Sequence, residues 1–223
     1  GCAVGSSQCL GQPLGGPEFD GSSCYEIADL GKIQARLGNA LTVEAWVRPK
    51  DVLGSPGIVG LGTGGGTGRT GWLLGIFDGQ FGLAATSHGA GKESIVKAPG
   101  VAAPDRWQHV AATYDGSELR VYVDGRLRNG SGEQSKEIRY ADPARLLIGA
   151  GESERLGERF KGWIDDVRLW DHARTGAEIK RAMNHRLRGD EAGLVAYWRL
   201  DRCKDDTLPD QTAGKHPAKR SSP

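Results

Sequence analysis

Two adjacent aspartates, Asp165 and Asp166, sit in the stretch Arg159 to Trp170 (RFKGWIDDVRLW), with Arg168 close behind. In an extended chain successive side chains alternate. Ile164, Asp166, Arg168 and Trp170 are therefore predicted on one face, and Asp165, Val167 and Leu169 on the other. A strand with apolar residues on both faces is buried, so its carboxylates need either a cation or an arginine. Neighbouring carboxylates on opposite faces cannot flank one scissile bond, and this argues against a two-carboxylate catalytic pair. Two ways of satisfying them stay open: a bound metal ion, or an internal ion pair of Asp166 or Glu44 with Arg168.

Other reactive arrangements are missing or weak. Gly62 to Gly71 (GTGGGTGRTG) resembles a phosphate loop but lacks its Gly-Lys-Ser/Thr ending, and strands rather than a helix are predicted after it. There is no Gly-x-Ser-x-Gly elbow and no His-Glu-x-x-His helix. His109 has no nucleophile near it in sequence and reads as a packed strand residue. The four cysteines, Cys2, Cys9, Cys24 and Cys203, match no zinc spacing. Their even number suggests two disulfides in an oxidising compartment. Of the three pairings, Cys2–Cys9 with Cys24–Cys203 is the expected one.

The elements that must hold these residues are mostly short strands. With 35 glycines and 10 prolines spread over 223 residues, the chain reads as strands joined by tight turns. Leu41 to Pro49 (LTVEAWVRP) puts Val43, Ala45 and Val47 on one face, and Thr42, Glu44 and Trp46 on the other. Trp72 to Phe77 and Phe81 to Thr86 form a hairpin around Asp78-Gly79. Arg106 to Asp115 and Leu119 to Arg126 form the clearest hairpin, with Asp-Gly turns at 115–116 and 124–125. Gly193 to Asp201 is a late strand. One helix is predicted, Thr175 to Leu187, with Thr175 as N-cap and Glu178 completing a capping box. The net charge of +1 provides no field for nucleic acid, and no apolar run has the length of a membrane span.

Several of these segments carry a resemblance. Phe-Asp-Gly at 19–21, Thr-Val-Glu-Ala-Trp-Val-x-Pro at 42–49 and Trp-x-His-Val-Ala-x-Thr-Tyr-Asp-Gly at 107–116 are similar to laminin-G-like domains. So are Leu-x-Val-Tyr-Val-Asp-Gly at 119–125 and Gly-x-Ile-Asp-Asp-Val-Arg-Leu-Trp at 162–170. These domains belong to the concanavalin A-like lectin/glucanase superfamily. The resemblance implies an all-β fold, a jelly-roll-like sandwich of two antiparallel sheets, here with one short helix near the C-terminus. It covers residues 17–216, leaving 1–16 as an irregular N-terminal segment and 217–223 as a disordered tail. It also implies a structural calcium (Ca2+) site, with Asp165 at the position of a glucanase ligand and Asp20 and Gly21 adding ligands from the opening turn. The Glu-x-Asp-x-x-Glu strand of the glucanases is absent, so catalysis is not expected.

The expected function is a non-catalytic binding module, secreted, cell-surface or periplasmic, with a carbohydrate or glycoprotein as partner. Sugars stack on exposed aromatic rings. Trp46, Trp107, Trp170 and Trp198 lie inside strand motifs and are assigned to the core. Trp72, beside the glycine loop, and Trp163 are the candidates for exposure, with Arg69, His88 and Tyr140 as polar companions. The alternatives are an adhesion module contacting another protein or another domain of a larger parent chain, and a divergent glycoside hydrolase.

Overall fold

A computed structural model of the chain describes residues 15–28, 30–63, 70–90, 93–100, 102–131, 134–140, 142–151 and 159–221. Two antiparallel sheets stack face to face. The first is built from β1 (Glu18–Asp20), β3 (Leu41–Pro49), β8 (Gln108–Tyr114), β9 (Leu119–Val123), β10 (Arg126–Ser131), β12 (Lys161–Trp170) and β13 (Leu194–Trp198). Its order is β1-β12-β3-β8-β9-β10, with β13 pairing the second half of β12. The second sheet contains β2 (Cys24–Ile27), β4 (Gly57–Thr63), β5 (Thr70–Phe77), β6 (Gln80–Thr86), β7 (Glu93–Lys97), β11 (Arg145–Ile148), β14 (Thr207–Leu208) and β15 (Ala218–Ser221). Its order is β14-β15-β2-β11-β4-β5-β6-β7. Many adjacent strands are thus distant in sequence, giving the jelly-roll-like sandwich that was expected.

Alternation explains the core. Val43, Ala45 and Val47 of β3 and Val110 and Ala112 of β8 face Leu61 of β4, Leu74 and Ile76 of β5, and Leu83 of β6. Asp78 and Gly79 both hold positive φ (50° and 75°), as the two-residue turn between β5 and β6 requires. The helix after β12 is α2 (Gly176–Ala182), and its capping box is present: Thr175 Oγ1 accepts from the Glu178 N–H, and Glu178 accepts from the Thr175 N–H. It is shorter than the predicted 175–187. The carbonyls of Ala182, Met183 and His185 are taken instead by the Arg168 and Trp46 side chains.

Four expectations are corrected. First, a bulge interrupts the simple alternation of the central strand. Asp165 lies opposite Trp46 and Arg168 opposite Glu44, so three steps on β12 match two on β3. Asp166 takes φ +50°, and Ile164, Val167 and Leu169 all reach the core. Second, Cys24 and Cys203 are free. Cys24 packs with Leu147 and Ala150, whereas its neighbour Tyr25 enters the main core and brings its hydroxyl 3.3 Å from the Cys203 sulfur. Consecutive strand residues face opposite ways, so the two thiols lie on opposite faces of β2. Cys2 and Cys9 lie outside the described residues. Third, the expected disordered tail contains β15, which covers the edge of β2 and buries Ala218 against Ile27. Fourth, a second helix, α1 (Gly31–Arg36), buries Ile33. At one and a half turns and without a side-chain cap, it carries little sequence signal.

The bulge makes Asp166 a sensitive position, because its buried Oδ1 accepts from the Tyr197 hydroxyl at 2.6 Å. Asp166→Val puts a β-branched residue in the left-handed region and strips Tyr197 of its partner. It is expected to cost about 3 kcal/mol in urea unfolding, against about 1 kcal/mol for Asp166→Asn.

Candidate functional site

The outer face of the first sheet, away from the core, is divided into two zones. One lies under α2 and is polar but sealed. Glu44 is fully buried there. Its Oε1 accepts from Arg174 Nη1 and from the Trp170 indole, both at 2.9 Å, and lies 3.7 Å from Arg168 Nη1. Arg168 also lies 3.5 Å from Asp166. The ion-pair alternative read from the sequence is thus present, with Arg168 joining both acids. Burial alone would raise the Glu44 carboxyl, but the Arg168 and Arg174 charges and the indole N–H hold it below its ordinary range. His109, 3.5 Å from Glu44, is pushed down to about 4 by burial, and the arginines reinforce the effect. This zone holds α2 in place and is closed to a ligand.

The other zone is open and aromatic. Cross-strand register sets Glu18 opposite Trp163, and Trp163 opposite Arg48. Trp46 faces Asp165 on one side and His109 on the other. Continuing the β3–β8 register by one residue sets Trp107 against Arg48. Trp46 and Trp163 are half-buried on adjacent strands of the outer face, and half-buried Trp107 lies just before β8. Each still offers ring edge or face to solvent. The Arg48 guanidinium stands 4.9 Å from the Trp163 ring centroid and Lys50 Nζ 5.5 Å from it. Lys50 reaches on to pair with Glu18, and Arg48 lies 3.7 Å from Asp105 Oδ1. Exposed Lys161 borders this tryptophan corner, two residues before Trp163 on β12.

The predicted site residues separate. Trp163 lies half-buried on the outer face of the first sheet. Trp72 does not lie at the surface: only 3% exposed, it points with Leu74 and Ile76 into the core and donates to the Tyr140 hydroxyl at 3.1 Å. Tyr140 in turn donates to the Leu37 carbonyl, so the pair is a packing contact. His88 is exposed beyond the end of β6, in the second sheet, with its N–H on the Glu137 carbonyl. Arg69 lies outside the described residues. Trp46 and Trp107, assigned to the core, are instead on the outer face. The signal was available for Trp46, which alternates with Val43, Ala45 and Val47 and so must face away from them.

The proposed calcium ligands do not converge. Asp20 pairs with Lys161, four residues before Asp165 on β12, a separation of roughly 13 Å along an extended strand. Asp20 is exposed and accepts from both the N–H and the hydroxyl of Ser22, in a turn where Gly21 has φ +85°. Asp165 is 1% exposed, and its Oδ1 accepts from the N–H groups of Asp166 and Leu200. These residues do not fit a single shared ion.

Asp165 titrates unusually. Burial, reinforced by the neighbouring Asp166 charge, pushes its carboxyl up to about 6, and its Oδ2 has no hydrogen-bond partner among the described residues. A folded-state value above the unfolded value of 3.8 means that the folded chain binds the extra proton. Stability from this group is therefore full below 3.8 and falls as pH rises towards and through 6. Asp165→Asn keeps an acceptor for both N–H groups and removes the charge. Relative to wild type it is expected to gain about 2 kcal/mol between pH 4 and pH 7, measured by urea unfolding at each pH.

A separate groove of about 420 Å³ lies in the second sheet between β2 and β15, lined in part by Glu26, His216, Pro217, Lys219 and Arg220. No phenylalanine, tyrosine or tryptophan lines it. Glu26 is held there by both Nε and Nη2 of Arg145 (2.9 and 2.7 Å). The tryptophan corner, with its indoles beside Arg48 and Lys50, has the better chemistry for a hydroxyl-bearing ring.

Comparison with known proteins agrees with this architecture. Mouse pappalysin-1 is 29% identical over 164 residues, which cover 66% of this chain but 10% of pappalysin-1. A putative carbohydrate binding protein from Bacteroides ovatus superimposes with TM-score 0.64 at 20% identity, over 92% of this chain and 59% of that one. The Ruminococcus gnavus IT-sialidase CBM40 bound to alpha2,3 sialyllactose gives TM-score 0.61 at 15% identity, over 74% of this chain and 95% of that one. The chain thus spans about a tenth of the first relative's length and about three fifths of the first structure's. Residues 20–180 match the family model Laminin_G_3, of the Concanavalin A-like lectin/glucanases superfamily. With most of the sandwich inside that match, the chain belongs to this laminin-G-like family.

Proposed function

We propose that this domain is a non-catalytic carbohydrate-binding module whose ligand packs on the tryptophan corner. The observation that carries the reading is half-buried Trp46 and Trp163 on adjacent strands of one outer face, with Arg48 and Lys50 over the Trp163 ring and half-buried Trp107 just before β8. A flat ring with a polar rim suits a pyranose, whose apolar C–H face stacks while its hydroxyls find donors. The B. ovatus putative carbohydrate binding protein and the R. gnavus CBM40 bound to sialyllactose, which share the fold, support the same reading. So does the placement of the acids on β3 and β12. Glu44, Asp165 and Asp166 are buried and engaged, and none stands opposite another across an open cleft as glycoside hydrolysis requires. We place the module outside the cytoplasm, where free and surface glycans are met.

A second reading is a contact module within a larger chain. It is favoured by the small fraction of pappalysin-1 that this sequence matches. A glycan array followed by titration calorimetry separates the two. Trp163→Ala is expected to weaken binding of any array hit by at least about tenfold while the melting temperature stays near wild type. Trp72→Ala is expected to do the reverse, costing about 3–5 kcal/mol of stability through a core cavity. Absence of array hits, or hits indifferent to Trp163, would favour the contact module.

A further inference from the structure

The tryptophan corner carries positive charge of a particular kind. Among the described residues Arg168, Arg174 and Arg220 each stand singly over a ring, whereas Arg48 and Lys50 share one indole. Both lean on carboxylates of the same chain: Lys50 on Glu18, directly across Trp163, and Arg48 on Asp105. These are exposed pairs, with side chains 47% and 45% exposed for Lys50 and Glu18, and 38% and 67% for Arg48 and Asp105. Exposed pairs of this type contribute little and exchange partners readily. Arg48 is also tethered by its Nε to the Asp105 carbonyl at 3.1 Å, which holds the guanidinium in position when the carboxylate leaves. Lys161, two residues before Trp163 on β12, is exposed and lies opposite Asp20 in the strand register.

We propose that the ligand of this corner is an acidic saccharide, and that its anionic group displaces Glu18 from Lys50 and Asp105 from Arg48 while the ring lies along Trp163. The inference rests on the carbohydrate-binding reading above and names the chemistry within it. Glu18 and Asp105 occupy in the free domain the positions that a ligand's carboxylate or sulfate takes in the complex. A bidentate guanidinium and an adjacent ammonium on an apolar ring form a stronger anion site than either cation in water. A neutral sugar stacking there uses the cations only as donors to its hydroxyls and leaves their charges to the internal pairs.

The test uses matched probes on the whole domain: an oligogalacturonate and its methyl ester, and a heparin-derived oligosaccharide and its desulfated form. Calorimetric titration at two salt concentrations is expected to show the acidic member of at least one pair binding more tightly, with the difference shrinking at high salt. Which pair responds distinguishes carboxylate from sulfate. Glu18→Gln removes the internal competitor without removing a cation, and is expected to tighten acidic binding by up to about fivefold while leaving neutral binding unchanged. Lys50→Gln and Arg48→Gln are expected to weaken acidic binding by about five- to tenfold. A gain of affinity on Glu18→Gln cannot arise from damage to the fold. Equal affinity for acidic and neutral probes, both lost in Trp163→Ala, would overturn this inference and leave the platform standing. Binding to neither would overturn both.

Discussion

The carboxylate of Glu44 is the point on which the outer face of the first sheet depends. It lies fully buried on β3, where an unpaired charge would be very costly, and it is held by Arg174, Arg168 and the Trp170 indole. Those three partners come from β12 and from the segment entering α2. One carboxylate therefore ties the third strand of the chain to a helix well over a hundred residues later. The arginines do a second task. Arg168 donates to the carbonyls of Ala182 and His185, and Arg174 to that of Glu178. Arg168 thus serves carbonyls at and just beyond the C-terminal end of a short helix, where a cation satisfies orphan acceptors and opposes the dipole. The helix is too short to be stable alone and is a consequence of the charge network beneath it.

The bulge at Asp165 and Asp166 makes this network compatible with the core. Without it, an unbroken alternation would send Val167 and Leu169 to the outer face or Arg168 to the inner one. One extra residue on β12 lets Ile164 enter the core before the bulge and Val167 and Leu169 after it. Arg168 and Trp170 then share a face with Glu44 and Thr42. The same bulge buries Asp165, which explains its raised titration. The strained, polar step in the strand is therefore what allows apolar and charged residues to sort correctly on its two sides.

Much of this was legible in the sequence. The nine residues of β3 and the hairpins around Asp78-Gly79 and Asp115-Gly116 followed from period-two alternation and turn chemistry. So did the capping box at Thr175. The fold class followed from the same strands together with their resemblance to a known family. The failures have physical causes. Alternation assumes a regular strand, and nothing local announces that Asp166 adopts φ +50°. Cysteine counting assumes that an even number pairs, but Cys24 and the residue beside Cys203 face opposite ways. The site was read least well because tryptophans were sorted by motif instead of by face. Trp72 shares its face with Leu74 and Ile76, whereas Trp46 shares its face with Glu44. Applying alternation to each tryptophan separates the buried Trp72 from the surface Trp46.

The two zones of the outer face contain the same chemical parts, acid, arginine and tryptophan, and burial gives them different work. Under α2, Glu44 with Arg168, Arg174 and Trp170 is shielded from water. Losing any one partner leaves an uncompensated charge in low dielectric, so the arrangement is fixed. At the corner, Glu18 and Asp105 with Lys50, Arg48 and Trp163 stand in solvent, where water replaces either partner at small cost. The buried set resists exchange and suits a structural joint. The exposed set exchanges readily and suits recognition, since a ligand need only outcompete a weak internal pair. The boundary between the zones is the Trp46 indole, which donates to the Met183 carbonyl at the end of the helical segment while keeping part of its ring open. The network that fastens the helix thereby sets where the covered face ends and where the open aromatic surface begins.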